Sequence, residues 1–234
     1  MAKKKKRILS VRVTDREQVW GFVYLLVSLF VLPSLLKWGN GLLPVPLRSI
    51  WLNSLYFLLN FSMIVWIFRG LFHRSLQQIG THIPEFFLAI LAGFGAYWLS
   101  SWGLTSLLRL LFADYANLND LSVISMAQEN FLVSFLGTVF LVPVAEEALH
   151  RGLIFGSLYP KQHAVAYILS TVIFASVHIM GYVGTYSAPH LALAFLQYIP
   201  AGLALCWAYR QSGSIFAPIL IHAAINAIAM FSLR

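Results

Sequence analysis

Apolar runs long enough to cross a bilayer recur along the whole chain, and no other feature constrains its folding as much. A span needs about twenty such residues. Runs of that kind occupy roughly 19–37, 49–68, 84–112, 130–158, 164–182, 190–209 and 214–232. The third and fourth would be about 42 Å long as helices at 1.5 Å per residue, so they must tilt, kink or protrude, yet neither suffices for two crossings. The expected fold is therefore all-α, a polytopic membrane bundle of about seven transmembrane helices. Composition supports this, because only 10% of the 234 residues are charged and 59% are apolar. A soluble domain carries about 25% charged residues and could not cover its surface with so few. The lone Cys206 excludes a disulfide-stapled module.

The net charge of +8 is concentrated at the amino end, where Lys3, Lys4, Lys5, Lys6, Arg7, Arg12 and Arg16 precede the first span. Beside a hydrophobic segment, such a run reads as a cytoplasmic anchor and not as a nucleic-acid patch. The first run is too long for a cleaved signal peptide and lacks a small-x-small site after it. With the amino terminus inside, the loops with Arg69 and Arg74, with Lys161 and with Arg210 are expected inside. The loops holding Asp114, Asp120 and Glu129, and then residues 181–189, are expected outside; Lys37 and Arg48 run against the pattern. The expected location is an inner or plasma membrane crossed several times.

Ionisable side chains at membrane depth cost several kcal/mol unless partnered or wet, so they mark function. They cluster in three places: Glu146-Glu147-x-x-His150-Arg151, Phe174-x-x-x-His178, and His222-x-x-x-Asn226. Glu146, His178 and His222 each lie within about five residues of a span midpoint, or ~8 Å of depth, and can share one level. Glu147 and Arg151 are four apart and stack on one helical face, whereas Glu146 is turned by about 100° and is left to point into a cavity. His222 and Asn226 also share a face. His73, His82, His163 and His190 are expected at loop positions, and Arg109 near a span end can snorkel.

A carboxylate and an imidazole in a polar cavity suit hydrolysis, in which a base takes a proton from water and returns it to a leaving amine. A histidine with an asparagine one turn on offers donors to a developing oxyanion. Rival chemistries lack their parts. No His-Glu-x-x-His zinc string occurs, Glu147-x-x-His150 is not repeated as a di-iron bundle requires, and Ser212 and Ser214 are weak nucleophile candidates. A carrier would also use intramembrane Glu and His, but no symmetric broken helices are visible.

These three motifs, in order and spacing, resemble those of the CPBP family of intramembrane proteases, also called the CAAX protease or Abi family. His150 departs from the family pattern, which usually has an aromatic residue there. The resemblance implies a catalytic helical core over 130–232, preceded by membrane helices over 19–112 and a basic tail over 1–18. It implies a catalytic set of Glu146, Glu147, His178, His222 and Asn226. Glu146 and His178 would activate water, His222 and Asn226 would stabilise the oxyanion, and Glu147 would pair with the supporting Arg151. Were the enzyme metal-dependent, Glu146, His178 and His222 suit zinc by ligand type; a metal-free, glutamate-dependent route is the reading favoured here. The implied substrate is a membrane-associated peptide or protein. Eukaryotic relatives trim prenylated proteins, but the short loops and lysine-rich tail suggest a prokaryotic membrane, where prenylated substrates are not expected. The alternative is a non-catalytic membrane partner or immunity protein that regulates another membrane protein, such as a sensor kinase.

Overall fold

The computed structural model of the protein describes residues 11–112 and 118–232, without the side chains of 119–122. The basic run Lys3–Arg7 and Asp114 lie outside the described residues. Among the described residues every regular element is a helix: α1 (Asp15–Gly41), α2 (Ser49–Ile67), α3 (Arg69–Thr81), α4 (Ile83–Leu111), α5 (Leu118–Glu129), α6 (Phe131–Leu158), α7 (His163–Met180), α8 (Ala188–Ser212) and α9 (Phe216–Ser232). Six of these are long and apolar enough to cross a membrane, and α9 is a shorter apolar helix. Each of the seven expected spans falls on a helix, and the fold is an all-helical bundle of about seven apolar helices, six of them long enough to cross.

Two stretches read as loops are helices instead. Residues 69–81 form α3, which contains His73, and the segment carrying Asp120 and Glu129 forms most of α5. Neither has a long enough apolar run to register as a span. His163 and His190, also expected in loops, lie in the first turns of α7 and α8. Tertiary contacts hold α3 in place. Glu17 of α1 accepts from the Leu71 amide at 2.7 Å, supplying one of the partners that a helix amino end lacks. Ser75 Oγ accepts from the Ile215 amide at 3.3 Å in the α8–α9 turn. That turn needs a residue with positive φ, which Gly213 provides at 67°.

Burial is uneven around the bundle. In the most apolar windows of α6 and α8, 44% of residues are buried, against 17% in α1 and α4. The core therefore lies along α6 and α8, whereas α1 and α4 keep a large lipid-facing surface. Small residues permit close approach. A Cβ on Gly93 of α4 would stand 3.2 Å from the Ala208 Cβ, and one on Gly202 of α8 would stand 2.4 Å from Thr171 Cγ2.

Several spans are not regular. π-helical turns at Val27–Val31 in α1 and Gly137–Leu141 in α6 are each followed two residues later by a proline, Pro33 and Pro143. Proline cannot donate and crowds the carbonyl one turn back, and a wider turn relieves both. A third π-helical stretch, Ala148–Phe155, begins one residue after Glu147 and is buried over all eight residues. In α8 the axis breaks at Tyr198, just before Pro200.

Candidate active site within the bundle

The second half of α6 carries the acids. Glu147 and Arg151 are fully buried and bonded at 2.8 Å, Oε1 to Nη1, as their four-residue spacing predicts. Arg151 also donates through Nη2 to the Gly202 carbonyl at 3.4 Å and lies 4.2 Å from the centroid of the Phe174 ring. Its charge is thus enclosed by a carboxylate, a carbonyl and an aromatic face. The remaining lone pairs of Glu147 Oε1 reach across to α9, where His222 Nδ1 donates at 2.7 Å. An internal carboxylate with an arginine and an imidazole is held by partners that offset the cost of burying it.

Glu146 points elsewhere. It lines a cavity of about 360 Å³ together with His150, His178, His222 and Asn226. Its Oε2 stands 3.6 Å from His178 Nε2 and 4.0 Å from His222 Nε2. These separations exceed a hydrogen bond, but one water at ordinary bonding distance from the carboxylate can also touch His178.

Each imidazole is oriented by its other nitrogen. His178 Nδ1 donates to the Phe174 carbonyl at 2.8 Å, and His150 Nδ1 donates to the Glu146 carbonyl at 2.8 Å. Since a carbonyl only accepts, the proton is on Nδ1 in both rings, and in the neutral form Nε2 keeps a lone pair. His178 is further clamped between rings, 4.4 Å from Phe174 and 4.2 Å from Tyr198, centroid to centroid. Asn226 donates from Nδ2 to the Thr138 carbonyl at 2.8 Å, which fixes its amide on the cavity wall. That bond uses one of the two amide hydrogens and leaves one for a ligand.

All six residues singled out in the sequence meet here, with Glu146, His178, His222 and Asn226 at the cavity and Glu147 and Arg151 behind them. Phe174, named in the second motif without a role, is 2% exposed and touches Arg151, His150, His178 and His222. Other lining residues were not anticipated. The far wall comes from α1 and α2, through Ser28, Asn53, Tyr56 and Asn60. Tyr24 donates to Asn60 Oδ1 at 2.9 Å, and Tyr56 donates to the Ser28 carbonyl at 3.1 Å. The recurrence 53, 56, 60 on one helical face was the available sign, a polar stripe inside an otherwise apolar span. His150, which departs from the pattern it resembles, is 2% exposed, and its Nε2 has no hydrogen-bond partner among the described residues.

By chemistry the donor set of Glu146, His178 and His222 suits zinc, and the Nδ1 bonds of both rings follow the pattern of metal-ligating histidines. Among the described residues, no group of three His, Cys, Asp or Glu side chains has metal-holding geometry as it stands.

Residues 128–228 match the family model described as type II CAAX prenyl endopeptidase Rce1-like. The UPF0177 protein YxdF of Lactococcus lactis subsp. lactis (strain IL1403) is 34% identical over 86 residues, which is 37% of this chain and 42% of that protein. The match thus spans less than half the length of this relative. No solved structure matches the chain.

Proposed function

We propose, with residues 128–228 a domain of the Rce1-like type II CAAX prenyl endopeptidase family, that the protein is an intramembrane endopeptidase cutting a membrane-associated peptide or protein. The observation that carries the reading is the approach of two imidazole Nε2 atoms to one oxygen of Glu146, at 3.6 and 4.0 Å, on the wall of a cavity inside the bundle. Glu146 takes a proton from a water lodged between it and His178, and the oxygen attacks the scissile carbonyl carbon. The proton then passes to the leaving amine as the C–N bond breaks. Asn226 donates its free amide hydrogen to the developing oxyanion. When His222 joins it through Nε2–H, the ring holds both protons, since its Nδ1–H is bonded to Glu147. Glu147 and Arg151 position His222 and do not touch the reacting atoms.

A zinc ion held by Glu146, His178 and His222 would supply an activated water directly. The metal-free route uses the same residues. The active site is placed in a multi-pass protein whose amino terminus faces the cytoplasm, following the basic residues that precede α1. The alternative of a non-catalytic partner of a sensor kinase or another membrane protein has less support, because a scaffold does not need an unpaired carboxylate oxygen facing two imidazoles at a cavity.

The test is mass spectrometry of membrane peptides from cells expressing the wild type or Glu146→Gln, repeated on purified protein in detergent with and without a chelator. The expected result is accumulation of uncleaved peptides in Glu146→Gln and cleavage by wild type that survives the chelator. Loss on chelation, restored by zinc, selects the metal route. Cleavage unaffected by Glu146→Gln and His178→Ala removes the proposal.

A further inference from the structure

At the end of the bundle where α1 begins and α2 meets α3, a cleft of about 210 Å³ is lined by Arg16, Glu17, Trp20, Trp66, Arg69 and Arg74, among others. Its three arginines face a single carboxylate, Glu17, which leaves a surplus of two positive charges. Glu17 is already spent internally. Its Oε1 accepts from the Leu71 amide at 2.7 Å, and its Oε2 accepts from the Thr14 amide and hydroxyl at 2.8 and 3.0 Å and from Arg74 Nη2 at 2.6 Å. Among the described residues, Arg16 and Arg69 are in ion-pair reach of no carboxylate.

The cleft is also graded along the membrane normal. On α1, Trp20 follows Arg16 by four residues, about 6 Å deeper at 1.5 Å per residue; on the returning side, Trp66 lies in the last turn of α2 and Arg69 opens α3 beyond the break at Phe68. Both sides therefore place an arginine outward of an indole, and the indoles are half exposed, at 51% and 57%. Cations at headgroup level above amphipathic rings at the acyl boundary match the polarity of a phospholipid.

We propose that this cleft binds the phosphate of an anionic phospholipid, with Arg16 and Arg69 on the phosphate and Trp20 and Trp66 against the upper acyl chains. The site is separate from the cavity of Glu146 and does not depend on the protease reading.

The experiment is native mass spectrometry of the full chain in detergent, titrated with dioleoylphosphatidylglycerol, with dioleoylphosphatidylcholine, or with phosphatidylglycerol in the presence of excess inorganic phosphate. The expected result is preferential binding of phosphatidylglycerol that phosphate does not displace. Arg16→Gln/Arg69→Gln weakens it by roughly thirty-fold, from about a fivefold effect per arginine near the surface. Replacing Lys3, Lys4, Lys5 and Lys6 by Gln, the control for the basic tail, leaves it within about threefold. Equal binding of the two lipids, full displacement by inorganic phosphate, or an unchanged affinity in the double arginine variant overturns the proposal. Both arginines are exposed, so the variant's unfolding temperature in lipid-free detergent is expected to match wild type and serves as the folding control.

Discussion

Glu147 Oε1 lies 2.7 Å from His222 Nδ1, so the second of two adjacent glutamates ties α6 to α9 while the first faces the cavity. The same oxygen holds Arg151 at 2.8 Å. One atom thus joins the first and third polar motifs, 75 residues apart in the chain, and sets the ring orientation that Glu146 meets.

Removing that charge leaves Arg151 buried without its counter-ion. Glu147→Gln is expected to destabilise the fold by about 3–5 kcal/mol. Thermal unfolding in detergent measures it, and adding Arg151→Met to the same chain should recover a substantial part. An unfolding temperature equal to wild type would show that the pair is dispensable.

Glu146 behaves differently because its side chain is 25% exposed and, among the described residues, bridges no helices through a side-chain hydrogen bond. Glu146→Gln is expected to lower cleavage by at least about 10²-fold, the scale of a lost general base. Its unfolding temperature should stay at that of wild type. A parallel fall in both would reassign Glu146 to structure.

Filling the cavity without touching the polar groups separates access from chemistry. Ala229 lines the cavity on α9, and Ala229→Phe is expected to abolish cleavage of membrane peptides while the protein still folds. Full kcat/KM in this variant would place substrate elsewhere.

Gly202 offers a test of packing. Its Cβ would come within 2.4 Å of Thr171 Cγ2, so Gly202→Ala should cost about 1–3 kcal/mol through overpacking between α7 and α8. Gly181, where a Cβ meets nothing within 4 Å, is the matched control, and Gly181→Ala should leave the unfolding temperature unchanged. Equal effects of the two would refute the packing account.

Topology can be read with thiol chemistry, because Cys206 is fully buried and gives little background. In intact cells a membrane-impermeant maleimide should label Ser187→Cys and spare Lys161→Cys until the membrane is opened. The reverse pattern would invert the assigned orientation.

The positions of the seven apolar helices were legible because each coincides with a long apolar run, and a bilayer admits little else. The i,i+4 pairing of Glu147 with Arg151 was legible too, since helical geometry alone brings them together. Helices α3 and α5 were not. Neither contains a long apolar run, and α3 is positioned by Glu17 and Ser75 contacting distant parts of the chain. His73 in α3 and His190 in α8 therefore sit on helices where loops were expected.

By itself the order of residues determined the class of fold and which polar side chains must be accommodated at depth, because hydropathy and helical period act locally along the chain. Only the packed bundle decided what each of them faces. Whether Glu146 meets water or lipid, whether Asn226 spends a hydrogen on Thr138, and whether Asn53, Tyr56 and Asn60 wall the same cavity depend on crossings between helices far apart in sequence. Short-range polar bonding falls off within a few ångströms, so sub-turn differences in rotation and depth settle those partners, and no local pattern encodes them.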